Sequence, residues 1–367
     1  MVIFFNKKEK DKYLLLIEPG GIGDYIFCRP FLKYFKESLK YKDYKIIYLA
    51  KDIYADFVST FDGEYFDKII AYNTKALERN KNYQKYLYSE INSYHIDTLI
   101  NLRGITPFIK DIGFRRRLVK SVKARKKIVD VIPDKNNNVS NLKISMYNEP
   151  IIDHWGKEYN YLFENERRRL FFEKILELKI PKTELDFDKN NLLFDYINRD
   201  FIVLSICTND SKRLYPREKW IHIAKYILEN KPKTYLYFIG TNNEKNKIDE
   251  VVSAIDSPYC CNLAGMVPIS VLPMFLSKSK MLLGVETGTV HIANLVGCKT
   301  ICFSNGLSYG RFHPYPNNKS GYLYPEKFEE YIKTASQEEL VNVYCGGNVV
   351  FDINTFDVNL SEVLKGL

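Results

Sequence analysis

Residues 14–36 read LLLIEPGGIGDYIFCRPFLKYFK. An apolar run stops at Pro19-Gly20-Gly21, turns through Gly23-Asp24 and restarts with helical spacing. The run before it, KYLLLIE (12–18), is short, continuous and apolar, which is the pattern of a strand buried on both faces. A strand handing directly to a helix through glycines is the first half of a βαβ unit. Glycine lets backbone approach a ligand closely, and the helix start offers unpaired N–H groups and a positive dipole end. Asp24 therefore stands at the carboxyl edge of a strand. Two readings are open for it, a helix cap or a carboxylate facing bound substrate.

The same alternation continues. YKIIYLA (44–50), DKIIAY (67–72) and DTLINL (97–102) read as further strands, with residues 24–39 as the first helix. The rhythm fades between Asp134 and Asn198, where a charged helical segment at roughly 155–178 precedes Pro181 and the turn-rich KTELDFDKNN. It then resumes. FIVLSIC (201–207), TYLYFIG (234–240), CCNLAG (260–265), KMLLGVE (280–286) and TICFSNG (300–306) read as strands, with helices over 217–230, 244–255, 268–279 and 289–297. The expected fold class is α/β, with two doubly wound parallel sheets of Rossmann type facing a central cleft. The expected domains are 1–185 and 186–345, with 346–367 a C-terminal segment able to pack back on the N-terminal domain.

Bulk properties narrow the function. The 367 residues suffice for two domains, and 46% hydrophobic with 27% charged residues gives a globular chain rather than a disordered one. The chain contains no apolar run of the ~18 residues a spanning helix needs. The apolar start of MVIFFNKKEKDK is too short for a signal peptide, so a cytoplasmic protein is expected. The seven cysteines are odd in number and form no CxxC pair, and the five histidines show no HExxH spacing. No structural metal site or disulfide framework is expected. The net charge of +9 is uneven: eight of the thirteen residues 115–127 are basic. Such a cluster is either a solvated helix face or a patch for an anionic partner. No nucleic-acid-binding signature accompanies it.

Four junctions carry chemistry. The first is PGGIGD, with Gly20, Gly21, Gly23 and Asp24. The second is GVETGTVHIANLVG (284–297): a strand ends at Glu286, Thr287-Gly288-Thr289 turn tightly, and a helix bearing His291 begins. Hydroxyls and bare N–H groups at a helix start suit phosphate, although a simply capped helix has the same pattern. The third, CTNDSKRLYPREKW (207–220), puts Thr208, Lys212 and Arg213 after a strand, where cations can neutralise a diphosphate. The fourth, FIGTNNEKNK (238–247), puts Glu244 at a helix start, as a ribose acceptor or a first-turn charge. An Asp186-Phe187-Asp188 triplet could hold a metal only with several converging oxygens, and its linker position argues against that.

In order and spacing these junctions resemble glycosyltransferase family 9, typified by the ADP-heptose:lipopolysaccharide heptosyltransferases. Gly20, Gly21, Gly23 and Asp24 match its Gly-x-x-Gly-Asp loop. Arg213-Leu214-Tyr215-Pro216 matches, with changes, its basic-x-Trp-Pro element, and Gly240 to Glu244 its Gly-x-x-x-Glu segment. Glu286-Thr287-Gly288-Thr289-Val290-His291 matches its Asp-Thr-Gly-x-x-His signature. The resemblance covers roughly 12–315. It implies a GT-B fold and an inverting glycosyltransferase that uses a nucleotide-diphosphate sugar without an obligatory metal or other cofactor. Asp24 would be the general base. Thr208, Lys212, Arg213, Glu244, Glu286, Thr287, Gly288, Thr289 and His291 would hold the donor. The acceptor would be an anionic glycolipid or other glycan, with the cluster at 115–127 favouring a peripheral position at the inner membrane face and no nucleic-acid partner. Three departures stand out: Glu286 where the family has Asp, Tyr215 where it has Trp, and an atypical SNGLSYGRFHPYP (304–316) carrying Arg311 and His313. The other readings are an NAD-type oxidoreductase or sugar-nucleotide epimerase, for which Asp52 stands late, and a catalytically silent sugar-nucleotide-binding protein.

Overall fold

The computed structural model describes residues 11–105, 113–132, 144–152, 162–183, 199–316, 320–344 and 351–355, with single positions 139, 185, 187, 359, 361 and 365. It contains two six-stranded parallel sheets. The first is built from β1 (Tyr13–Ile17), β2 (Lys45–Lys51), β3 (Lys68–Tyr72), β4 (Ile96–Ile105), β5 (Lys126–Val131) and β6 (Glu149–Ile152), in the order β3-β2-β1-β4-β5-β6. The second is built from β7 (Phe201–Ser205), β8 (Tyr235–Phe238), β9 (Cys260–Asn262), β10 (Met281–Val285), β11 (Thr300–Phe303) and β12 (Ser320–Leu323), in the order β12-β11-β10-β7-β8-β9. Counted within its own sheet, each has the order 3-2-1-4-5-6. In a doubly wound sheet of this order the direction reverses between the first and fourth strands, and ligands bind outside the carboxyl ends there. Those pairs are β1/β4 and β7/β10.

The central strands are apolar throughout because helices cover both faces of such a sheet. Leu15, Ile17, Ile47, Leu49, Leu99 and Val129 form the heart of the first core. Ile202, Leu204, Leu236, Phe238, Leu283 and Val285 form that of the second, with Trp220 and Ile223 of the helix Arg217–Asn230 against them. Each such side chain contributes ~1.5–3 kcal/mol of burial.

The chain divides into two compact units, and the division is less simple than a single boundary near residue 185. The first unit takes residues up to Gly20, Cys28–His154 and Arg168–Pro181; the second takes Gly21–Phe27, Trp155–Arg167 and Lys182–Leu367. The turn that carries Asp24 thus belongs with the second sheet. In the second unit Phe351 packs on Phe328 and Tyr331, and Lys219 donates to the Asn354 carbonyl, so residues 351–355 differ from the expected packing on the N-terminal domain. The expected helix over 24–39 is also broken. It runs Ile22–Cys28, passes through a 3-10 turn at Arg29–Phe31 and resumes at Tyr34–Glu37, because Pro30 lacks the N–H a continuous helix needs.

Candidate active site

In the first unit, β1 ends at a buried carboxylate. Glu18 accepts the Gly20 N–H through Oε1 at 2.9 Å, and its Oε2 lies 3.6 Å from Arg168 Nη2. The Tyr54 hydroxyl donates to the Glu18 carbonyl at 2.9 Å. The start of the glycine loop is therefore fixed from below by a residue that sequence reasoning passed over. Its signal was a lone charge closing an otherwise apolar strand.

In the second unit, Asp24 occupies the first turn of the helix Ile22–Cys28, and its Oδ2 accepts the Gly21 N–H at 2.8 Å. The capping role is real and uses one carboxylate oxygen. Two glycines set where this turn lies. A Cβ on Gly23 would sit 2.7 Å from His291 Cδ2, and one on Gly288 would sit 2.3 Å from Ile22 Cγ2. No side chain fits at either place, so the Asp24 turn lies directly on the Thr287-Gly288 turn. Phe27, one turn along, is packed by Phe163, His291 and Phe312 with ring centroids 5.3–5.6 Å away.

β7 and β10 pair side by side; Thr208, Lys212 and Arg213 follow the first, and Glu286 to Thr289 and His291 follow the second. The Thr208 hydroxyl accepts the Asp210 N–H at 3.2 Å, and Asp210 in turn caps the 3-10 turn Ser211–Arg213. Lys212 is exposed and its backbone carbonyl is held by Asn305 Nδ2 at 2.9 Å. Arg213 is half-buried; its Nε donates to Asp210 Oδ2 and its Nη1 to the Glu286 carbonyl, both at 3.2 Å. Beside it the helix Gly288–Leu295 begins, with first-turn N–H groups that have no intrahelical partner. The Thr287 hydroxyl oxygen is buried there without a hydrogen-bond partner among the described residues. A cation, a hydroxyl and a helix start are the kinds of group that hold a diphosphate. At the end of β8, Glu244 is a first-turn capping residue, its Oε2 accepting the Thr241 N–H at 2.6 Å and hydroxyl at 2.9 Å. Exposed Met266 follows β9 next to Gly265, whose Cβ position abuts Asn242 in the Glu244 loop. Nothing in the sequence singles out that methionine.

Two predicted donor residues turn inward. Glu286 is buried: its Oε2 accepts from Ser304 Oγ at 3.2 Å and lies 3.3 Å from His313 Nε2, while Oε1 lies 3.8 Å from Arg213 Nη1. Burial alone would raise its pKa, but the His313 ring and the Arg213 guanidinium outweigh burial and hold the carboxyl below its ordinary value. His291 is buried with Nδ1 2.7 Å from the Tyr315 hydroxyl, and burial lowers its pKa to about 4. Both side chains therefore brace the site rather than face a donor. Tyr215, in the place of the family's Trp, stacks on Phe303 and edges Trp220 in the core. Arg311 does not reach the site; it is buried and paired with Glu164 at 2.8 Å.

Of the basic cluster, Arg125 pairs with Asp97, Lys126 with Glu149, and Lys127 donates to the Val119 carbonyl, all at 2.7–2.8 Å for their shortest contacts. Arg117, Lys120 and Lys123 remain exposed. Asp186 and Asp188 lie outside the described residues. Among the described residues, no helix is long and apolar enough to cross a membrane, and no group of three or more His, Cys, Asp or Glu could hold a metal ion.

No curated protein sequence matches the chain significantly. Solved structures resemble it across nearly its whole length. A glycosyl transferase family 9 protein from Veillonella parvula DSM 2008 matches with a TM-score of 0.63 at 14% identity, over 98% of this chain and 97% of that one. E. coli ADP-heptose lps heptosyltransferase II matches with a TM-score of 0.64 at 12% identity, over 96% and 97%. E. coli heptosyltransferase WaaC with ADP-2-deoxy-2-fluoro heptose matches with a TM-score of 0.61 at 16% identity, over 91% and 96%. These likenesses give the fold as GT-B. The sequence model "Glycosyltransferase family 9 (heptosyltransferase)" matches residues 145–341, more than half of the chain and including the Arg213, Glu244 and Glu286–His291 junctions. With that match, the chain belongs to glycosyltransferase family 9 and is a glycosyltransferase.

Proposed function

We propose that the protein transfers a heptose or similar sugar, with inversion, from a nucleotide-diphosphate donor to a hydroxyl of a lipopolysaccharide-type glycolipid or related glycan. The observation that carries this reading is the direct packing of the Asp24 turn on the Thr287-Gly288 turn, which brings a carboxylate to the edge of an anion-binding helix start. Asp24 takes the proton of the acceptor hydroxyl as its oxygen attacks C1 of the sugar. The C1–oxygen bond to the diphosphate breaks, and the nucleoside diphosphate leaves with the electron pair. Arg213, Lys212 and the N–H groups at Gly288 and Thr289 meet the charge that builds on the leaving group. Glu244 accepts from the ribose through its uncommitted oxygen, and Met266 offers an apolar surface for the base. The fold neighbour WaaC was solved with ADP-2-deoxy-2-fluoro heptose, which supports trying an ADP-heptose donor first. Exposed Arg117, Lys120 and Lys123 are proposed to draw the protein to anionic lipid. An oxidoreductase reading gains no support from family membership, nor does a silent binding protein.

Asp24→Asn tests the base. Its amide oxygen still accepts the Gly21 N–H, so folding and donor binding should persist, while transfer falls by ~10²–10⁴-fold. Unchanged transfer by a folded variant would remove Asp24 from the mechanism. Thermal shifts given by NADH and by no nucleotide sugar would remove the reading as a whole.

A further inference from the structure

The atypical segment 304–316 finds its place behind Glu286. Ser304 and His313 both lie in it and both reach the Glu286 carboxylate, at 3.2 and 3.3 Å. His313 is fully buried and its ring is fixed on three sides. Nε2 lies 2.8 Å from the Leu307 carbonyl, Nδ1 lies 2.9 Å from the Tyr324 hydroxyl, and the ring stacks on Tyr322 at 5.0 Å and 14°. A carbonyl only accepts, so Nε2 carries hydrogen and donates it to Leu307, while the Glu286 carboxylate lies 3.3 Å from the same nitrogen. Ser304 is fixed in turn by the Gly306 N–H, which donates to its Oγ at 3.1 Å. On its other side Glu286 meets Arg213 twice, through its carbonyl at 3.2 Å and its Oε1 at 3.8 Å from the same Nη1.

We propose that His313 is a positioning residue for the leaving group: through Glu286 it fixes the Arg213 guanidinium at the carboxyl ends of β7 and β10, and the longer Glu side chain is what lets a carboxylate at this position reach back to it. The inference rests on the donor reading above, since it gives Arg213 a diphosphate to meet. An aspartate at position 286 would stop one methylene short of the histidine. Glu286 thus acts as the middle member of a chain from buried imidazole to half-exposed guanidinium, and the departure from the family signature and the atypical segment explain one another. A carboxylate 3.8 Å from a guanidinium whose hydrogen bond goes to the same residue's carbonyl acts on ligand affinity by fixing geometry before the ligand arrives.

The test is a double-mutant cycle read by calorimetry with ADP, UDP, GDP and CDP, the tightest of the four being used throughout. His313→Ala should weaken its binding by ~10-fold or more, the scale of a hydrogen bond to a charged group. In a Glu286→Gln background the same substitution should cost less than about two-fold, because the chain is already cut. His313→Gln, whose amide can donate near the Nε2 position, should keep most of the affinity even if the alanine variant folds poorly. Equal losses in both backgrounds, or no rescue by glutamine in a folded variant, would overturn the assignment while leaving the donor reading intact. Binding of none of the four nucleotides by the unmodified protein would overturn the donor reading and the assignment together. A ligand-free measurement separates the pair from any nucleotide: the ring resonances of ¹⁵N-labelled His313 should move in Glu286→Gln, and an unmoved resonance would break the proposed contact.

Discussion

His291 illustrates how one residue links the site to stability. It is buried beneath the Gly23 turn, and its proton affinity falls from the ordinary 6.5 to about 4 because burial disfavours the charged ring. An unfolded chain takes up this proton near pH 6.5, and the folded protein not until about 4. Between those values the unfolded state holds the extra proton, so stability falls as pH drops through the window and is unaffected above it. The scale is ~3 kcal/mol at most. Glu286 acts in the same direction: its depressed pKa stabilises the fold above the ordinary carboxylate range, and that contribution is lost on acidification. Urea melts from pH 7 to 4.5 should show the decline, and His291→Gln should flatten it in the upper part of the window. An unchanged slope in that variant would remove His291 as the cause. Gly23 gives a second prediction. Alanine there drives a methyl into the imidazole, 2.7 Å from Cδ2, which should cost ~1–3 kcal/mol as an overpacked contact and displace the Asp24 turn. Melting temperature and transfer rate should fall together, and a variant normal in both would mean that the two turns separate freely.

At the scale of elements, the sequence made visible what depends on local pattern. The strands β7 to β11 of the second sheet and the helix at 217–230 stand where the apolar runs put them. The strand β5 escaped because its first residues, Lys126 and Lys127, belong to the basic cluster, and charge masks a strand whose remaining residues are buried. The strands β6 (EPII) and β12 (SGYL) carry Pro150 and Gly321, residue types that do not read as strand. Side-chain direction was not legible at all. Glu286 and His291 sit at positions that point to ligand binding by motif, but Ser304, His313 and Tyr315, which turn them inward, come later in the chain. The same segment fastens a helix start. Glu164, at the head of the helix Glu164–Leu176, accepts from Arg311 Nε at 2.8 Å and Arg167 Nη1 at 3.1 Å, and its own N–H donates to the Arg311 carbonyl at 2.8 Å. All three side chains are at most 4% exposed. Glu164→Gln removes a buried charge that both guanidiniums contact, so it should destabilise the protein by ~3–5 kcal/mol. Chemical denaturation measures this, and a loss below about 1 kcal/mol would mean that water or another group compensates the arginines.

The whole molecule repeats one topology twice, and the repeat is used unequally. In the second sheet β7 leads into the Arg213 turn and β10 into the helix Gly288–Leu295, whereas in the first the end of β1 buries Glu18 to fix the glycine loop. Charge is unequal as well. The formal +9 is concentrated at 115–127, and ion pairs with Asp97 and Glu149 neutralise part of it. Besides the ion-paired Arg125, the exposed members are Arg117, Lys120 and Lys123, the first two on the helix Gly113–Ser121, whose Phe114, Leu118 and Val119 are buried. With its apolar residues committed to the core, that helix has no hydrophobic face to insert into lipid, so any membrane attraction must be electrostatic. Each basic residue near an anionic surface contributes ~1 kcal/mol and acts only within a Debye length, about 10 Å at 0.1 M salt. Sedimentation with phosphatidylglycerol vesicles should therefore show binding at about 0.05 M salt that is largely lost by about 0.5 M, and none to neutral phosphatidylcholine. Replacing Arg117, Lys120 and Lys123 together by serine should lower the binding at least tenfold without changing the melting temperature, because none of the three is buried. Binding that persists in high salt, or that the triple variant retains, would assign these residues to a solvated helix face.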